Sequence, residues 1–367
     1  MDFGLAYHAG QLAWSTGHPE PLVTWTGTPF YALVMGTITR VASLEAATQV
    51  MLALNLVVWG GLLLAVWGRL LQLMPSRWLW ATLAAAAVFA PAISNIFWMQ
   101  PNLIDLGLAL GGVALIGRRN LGAGLLIGAA LALKPILLLL PFALLLHRQS
   151  RRAGEWAIAV AAVLSAIGLG FLAWRASDLS VANPVAYLAG FLTKGRGPNY
   201  ACVPENYSPM ALLCRFGVPS STAMTVAIAG AVLVIGWLLT RRLRDLPDSR
   251  WELFAAAALL SPMLGPIGWA DYQLLLAPLM LLLAYQFWTH HAPLFLWLNL
   301  GAVFVLTMLI WDPLESLAQT PVPVLVVSYT LGQFAQYFLL LLWAQWIRMR
   351  STKVTNTAGA KKGAQAE

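Results

Sequence analysis

The chain has 367 residues, 60% hydrophobic and only 10% charged, with a formal net charge of +8 and a mean hydropathy of +0.74. So few polar groups cannot cover a water-soluble domain of this length, which excludes a soluble enzyme and predicts an all-α, polytopic transmembrane bundle. The basic residues fall in short clusters between apolar runs, which suits loops beside anionic lipid and argues against a nucleic-acid partner.

In chain order, residues 1–31 are too polar to span, carrying Asp2, Tyr7, His8, Trp14, His18, Glu20, Trp25 and Tyr31. Residues 28–42 read as a helix lying on or dipping into the outer interface. Apolar runs able to cross a bilayer follow at 46–68, 78–94, 101–117, 154–174, 221–240, 252–267, 272–288, 293–311 and 322–347. With Arg69, Arg77, Arg118, Arg119 and the later clusters assigned to the cytoplasm, the parity closes on a cytoplasmic C-terminus. The outer loops then hold Asp2, Glu20, Glu45, Asp178, Glu205, Asp271, Asp312 and Glu315. One domain over 1–350 is expected, with 351–367 a disordered cytoplasmic tail.

One interval breaks this pattern. Only 28 residues separate Arg119 from Arg148, with Lys134–Pro135 at their middle. A single span would put one arginine cluster on the wrong face. Two half-length helices meeting at Lys134 would not, and each arm of about 20 Å is too short for a core of about 30 Å. The alternative is one long, Pro-kinked span with Lys134 snorkelling. A lysine at membrane depth costs about 3 kcal/mol on insertion scales, so it should face a cavity, a carboxylate or an anionic ligand such as a lipid phosphate. Asp105 is the other clearly intramembrane charge, and a structural Lys134–Asp105 pair is the competing reading.

Both cysteines, Cys202 and Cys214, lie in the outer loop 175–220 with eleven residues between them, a comfortable loop for a disulfide. His147, His290 and His291 fall at span ends and His8 and His18 are isolated, so no metal site is expected. No phosphate loop, Ser–His–Asp set or nucleotide fold is present, which leaves any chemistry to outer loops and span ends. Aromatics interleaved with carboxylates in the first outer segment suit a sugar site, but from composition alone a membrane-interface belt is the favoured reading.

Several short motifs occur in a recognisable order: Asp2–Phe3 with Tyr7, Ala9 and Gly17; Gln100–Pro101–Asn102; Ala123–Gly124 followed by Ala132–Leu133–Lys134–Pro135; Asn206–Tyr207–Ser208; and Leu260–Ser261–Pro262 with Trp269. This series resembles the GT-C membrane glycosyltransferases, in particular glycosyltransferase family 87, the polyprenol-phosphate-mannose-dependent mannosyltransferases and their relatives. The resemblance implies a polyprenyl-phosphate sugar donor, mannose or a related sugar, and a glycolipid or glycan acceptor hydroxyl on the outer face of the plasma (inner) membrane. It also implies inversion, with no cofactor and no metal. Asp2 matches the family's general base. Lys134 is the first candidate for the leaving lipid phosphate, with Lys194 and Arg196 behind it, while Gln100, Asn102, Asn206 and Trp269 would position sugar or acceptor.

Three features depart from the family pattern. Ala270–Asp271–Tyr272 stands where histidines are expected, so Asp271 is a candidate replacement. Thr28–Pro29–Phe30–Tyr31 replaces a Tyr–Pro-rich turn. Asp2 also has no hydrophobic segment before it, which predicts an upstream span of about 20 residues in the natural protein. The rivals from other classes are a lipid or small-solute transporter or flippase gated by Lys134 and Asp105, and a non-catalytic assembly role.

Overall fold

The computed structural model describes residues 2–19, 27–70, 84–186, 208–219, 249–264, 270–309 and 322–363, with positions 80, 222 and 230. Among these residues every regular element is helical. The helices are α1 (Asp2–Thr16), α2 (Pro29–Val41), α3 (Leu44–Leu70), α4 (Ala90–Trp98), α5 (Asn102–Leu115), α6 (Asn120–Leu133) and α7 (Leu139–Leu145). They continue with α8 (Arg151–Ala176), α9 (Pro209–Arg215), α10 (Ser249–Leu264), α11 (Ala277–Thr289), α12 (Leu294–Met308) and α13 (Val322–Gly363). Among the described residues, three helical stretches are long and apolar enough to cross a membrane: Leu44–Ala65, Arg151–Ala176 and Tyr272–Thr289. The chain is a membrane helical bundle. The expected span 221–240 lies outside the described residues except for positions 222 and 230, and Arg77 lies outside them too.

Helix α8 is the spine on which the interval after Arg119 folds back. A Cβ on Gly128 of α6 would lie 2.7 Å from the Ala157 carbonyl oxygen, and one on Gly154 of α8 would lie 2.8 Å from that of Pro141 in α7. Gly124 packs even closer, on Trp156. Both arms therefore approach α8 backbone to backbone, the contact that small residues permit in apolar surroundings. The N-terminus of α6 and the C-terminus of α7 both lie near the Arg151 end of α8. Between them the chain turns at Lys134, beside Thr28, and the next residues, Pro29 and Phe30, sit on Gly168. The turn is thus about 12 Å, eight residues of rise, short of the Ala176 end. This is a re-entrant hairpin rather than a kinked span.

The same end of the bundle gathers basic residues. Arg118 and Arg119 lie between α5 and α6, Arg148 and Arg151 where α7 passes into α8, and Arg250 donates to the Ile116 carbonyl at 2.9 Å. Arg40 and Arg175 lie at the opposite end, where the α1–α2 hairpin packs on α8. Tyr7 Oη donates to the Ala42 carbonyl at 2.8 Å, and Gly36 meets Phe171 and Trp14.

Three buried apolar clusters hold these elements. One joins α4–α8 with α10; a second joins α10–α13; a third joins α1, α2 and α3 with Met99, Leu133 and Phe171. Two elements differ from their sequence boundaries. The span expected at 272–288 begins as a 3-10 turn, Ala270–Leu276, because Pro278 has no amide hydrogen and starts a new helix. Helix α13 runs on to Gly363, into the segment that reads as a polar tail, since no proline follows Val322–Pro323 to stop it.

Candidate functional site

The site begins at a backbone break. Pro135 disfavours helical geometry at the residue before it, and Lys134 accordingly adopts φ −147°, ψ 121°. Helix α6 ends there and leaves carbonyls without intrahelical donors. Thr28 supplies one: its hydroxyl donates to the Ala132 carbonyl and lies 3.2 Å from that of Leu133. The same oxygen accepts from the Tyr31 amide at 3.0 Å, capping α2. One hydroxyl therefore fastens the first helical hairpin to the tip of the re-entrant one.

Lys134 is 8% exposed. Its ammonium donates to Gln100 Oε1 at 2.9 Å and lies 4.8 Å from the centre of the Tyr272 ring. The C-terminal end of α6, with its partial negative charge, adds to the attraction. Gln100 is itself held from behind. Helix α4 closes on Met99 in the left-handed conformation at φ 55°, and the Gln100 amide returns to the Asn95 carbonyl at 2.9 Å. A non-glycine residue held there costs about 1 kcal/mol, strain of the kind that collects at functional sites.

Three fully buried asparagines brace this link. Asn55 Nδ2 donates to the Gln100 carbonyl at 3.0 Å and approaches that of Asn95 at 3.5 Å. Asn102 Nδ2 donates to Asn95 Oδ1 at 2.7 Å, and Asn95 Nδ2 to the Pro91 carbonyl at 2.7 Å. Asn102 thus has a bracing contact at Asn95, while Gln100 faces the lysine directly.

Asp105, one turn further along α5, is fully buried, and neither carboxylate oxygen has a hydrogen-bond partner among the described residues. Lys134 and Asp105 interact electrostatically, yet the ammonium donates to Gln100. Tyr31, outside the spans, is also near: burial holds its hydroxyl above the usual phenol range, and the Asp105 carboxylate pushes the same way.

Asp2 opens α1. Its neighbour Phe3 is 3% exposed and shares one apolar cluster with Met99 and Leu133, the neighbours of Gln100 and Lys134. The side chains of Asp2 and Asp271 lie outside the described residues, as do Lys194, Arg196, Cys202, Asn206 and Trp269. Cys214, in α9, is disulfide-bonded. No group of three or more His, Cys, Asp or Glu side chains able to hold a metal occurs among the described residues.

Other motif residues take packing or capping roles. Ser261 Oγ accepts from the Leu139 amide at 3.2 Å, giving a partner to a donor at the start of α7. Ser208 caps α9 through the Ala211 amide at 3.3 Å, and its carbonyl accepts from Gln333 at 2.9 Å. Sequence reasoning missed Thr28, Asn55, Asn95 and Tyr272 as parts of the site. Thr28–Pro29 is a legible helix start, and a lone amide such as Asn55 in an apolar run is a legible oddity.

The model of glycosyltransferase family 87 matches residues 25–266, about two thirds of the chain. The matched region contains Gln100, Asn102, Lys134, Lys194, Arg196 and Asn206, while Asp2, Trp269 and Asp271 lie outside it. No curated protein and no solved structure matches.

Proposed function

Because the chain belongs to glycosyltransferase family 87, we propose that it moves mannose or a related hexose from a polyprenyl-phosphate donor to a hydroxyl of a glycolipid or glycan. The transfer takes place at the outer face of the plasma (inner) membrane, with the C-terminus in the cytoplasm. The acceptor oxygen attacks the anomeric carbon from the side opposite the phosphate, which inverts the configuration. The bond from that carbon to the phosphate oxygen breaks, and the lipid phosphate departs with the electron pair. The acceptor's proton passes to the Asp2 carboxylate, which must be ionised to take it.

Charge grows on the phosphate as its bond breaks, so a cation fixed beforehand is worth more there than in water. Lys134 at the hairpin tip, held by Gln100 and Tyr272, is the observation that supports this reading best. Lys194 and Arg196 are second candidates for the same charge. Asn206, Trp269 and Asp271 are proposed to contact sugar or acceptor, and Asn102 to act from behind Gln100. The family assignment replaces the transporter reading, although Lys134 and Asp105 do lie within electrostatic range.

The test is transfer of radiolabelled sugar from polyprenyl-phosphate mannose in membranes carrying the intact chain, Asp2→Asn or Lys134→Ala. Both variants are expected to lose transfer. Undiminished transfer by Asp2→Asn would remove that residue as the base.

A further inference from the structure

A second basic site lies at the Arg175 end of α8. Arg175 lies in the last turn of α8, with its guanidinium carbon 5.1 Å from the Trp174 ring centre and 5.5 Å from that of Trp14. Its Nε donates to the Trp14 carbonyl, which fixes the side chain and leaves the two terminal nitrogens outside that bond. Arg40 lies 5.8 Å from the same Trp14 ring. Phe171 backs both indoles, at 5.5 Å from Trp14 and 6.3 Å from Trp174. Trp174, Arg175, Trp14 and Arg40 thus alternate as ring and cation.

We propose that Arg40 and Arg175, held over Trp14, bind the phosphate of an anionic phospholipid headgroup in the leaflet at that end of α8. The site is separate from the donor site: Lys134 turns at the level of Gly168, about 10 Å deeper by helical rise. Two like charges around one ring repel each other, and among the described residues neither guanidinium forms an ion pair. An anion relieves that repulsion.

Helix-end capping explains part of the arrangement, since Arg175 serves the Trp14 carbonyl in the last turn of α1. It does not explain Arg40, which is exposed and whose contact with the ladder is the Trp14 ring. Depth selects the source of the phosphate. Arg175 ends a 26-residue candidate span, which puts the ladder at headgroup level, where tryptophans and guanidiniums meet lipid phosphates.

The test is native mass spectrometry of the full chain released from micelles with equal phosphatidylglycerol and phosphatidylcholine. The intact chain should retain phosphatidylglycerol selectively. Arg40→Gln should weaken that retention about fivefold and the double variant with Arg175→Gln about thirtyfold, one factor for each cation. A variant neutralised at Arg118 and Arg119, at the other end of the bundle, should keep it. Arg40→Gln removes no hydrogen bond among the described residues, so its folding serves as the control if Arg175→Gln loosens α1. Unchanged retention by a folded Arg40→Gln protein would overturn the proposal. So would equal retention of phosphatidylcholine, or displacement of the lipid by inorganic phosphate, which would mark a site for the free anion.

Discussion

Two buried polar networks occupy opposite ends of the bundle, and they are built differently. Near the Arg118 end, Gln286 Nε2 donates to Glu252 Oε1 at 2.8 Å and Trp346 Nε1 donates to Gln286 Oε1 at 2.6 Å. That chain of donor and acceptor ties α10, α11 and α13 together through regular helix. At the hairpin tip the helix is broken at Lys134, Met99 is left-handed, and the Asp105 oxygens have no donor among the described residues. Both networks leave a buried carboxylate oxygen without a hydrogen bond among the described residues, Glu252 Oε2 in one and both oxygens of Asp105 in the other. What sets the tip apart is a lysine held against a broken, strained backbone, as expected where local rules yield to function.

The largest expected effect is at the tip. Lys134→Met should lower sugar transfer by roughly two to three orders of magnitude, with helix content in detergent unchanged and thermal stability lowered by at most about 1 kcal/mol, because removing a membrane-depth charge offsets the hydrogen bond lost to Gln100. Transfer retained with a larger loss of stability would reverse the contrast. Gln286→Leu should do the opposite: stability falls by about 1–3 kcal/mol, because Glu252 and Trp346 each lose a buried partner, while transfer per folded molecule stays constant.

Asn55→Leu falls between these two. It removes the amide behind Gln100, and should cost about 1 kcal/mol and lower the turnover number about tenfold through misplacement of the tip. A normal turnover number would mean that Asn55 only packs α3 against α5. The smallest effect is that of Thr28→Val, a loss of about 1 kcal/mol from the α2 cap, read as a shift in thermal unfolding.

The sequence made much of this architecture legible. Charge spacing alone pointed to the hairpin, because Arg119 and Arg148 cannot share a face across one span, and it singled out Lys134. The asparagine brace was not legible. Asn55 reaches Gln100 across 45 residues and Thr28 reaches Leu133 across 105, and such side-chain-to-carbonyl bonds between helices leave no periodic trace. The 3-10 start at Ala270 was hidden in the same way, since apolar composition marks a span without fixing its helix type. The motifs that carried the family resemblance mostly brace and cap: Gly124 lets α6 meet α8, Ser261 receives α7, and Ser208 caps α9.

The central claim is that Lys134 at the re-entrant tip receives the donor's phosphate, and its most direct test is equilibrium binding of radiolabelled polyprenyl phosphate, without sugar, to the purified full chain. The intact protein should bind saturably, and a folded Lys134→Met protein should bind at least about tenfold more weakly, the loss of one charge-assisted contact. Equal binding by the two would contradict the account and move the phosphate site away from the hairpin tip.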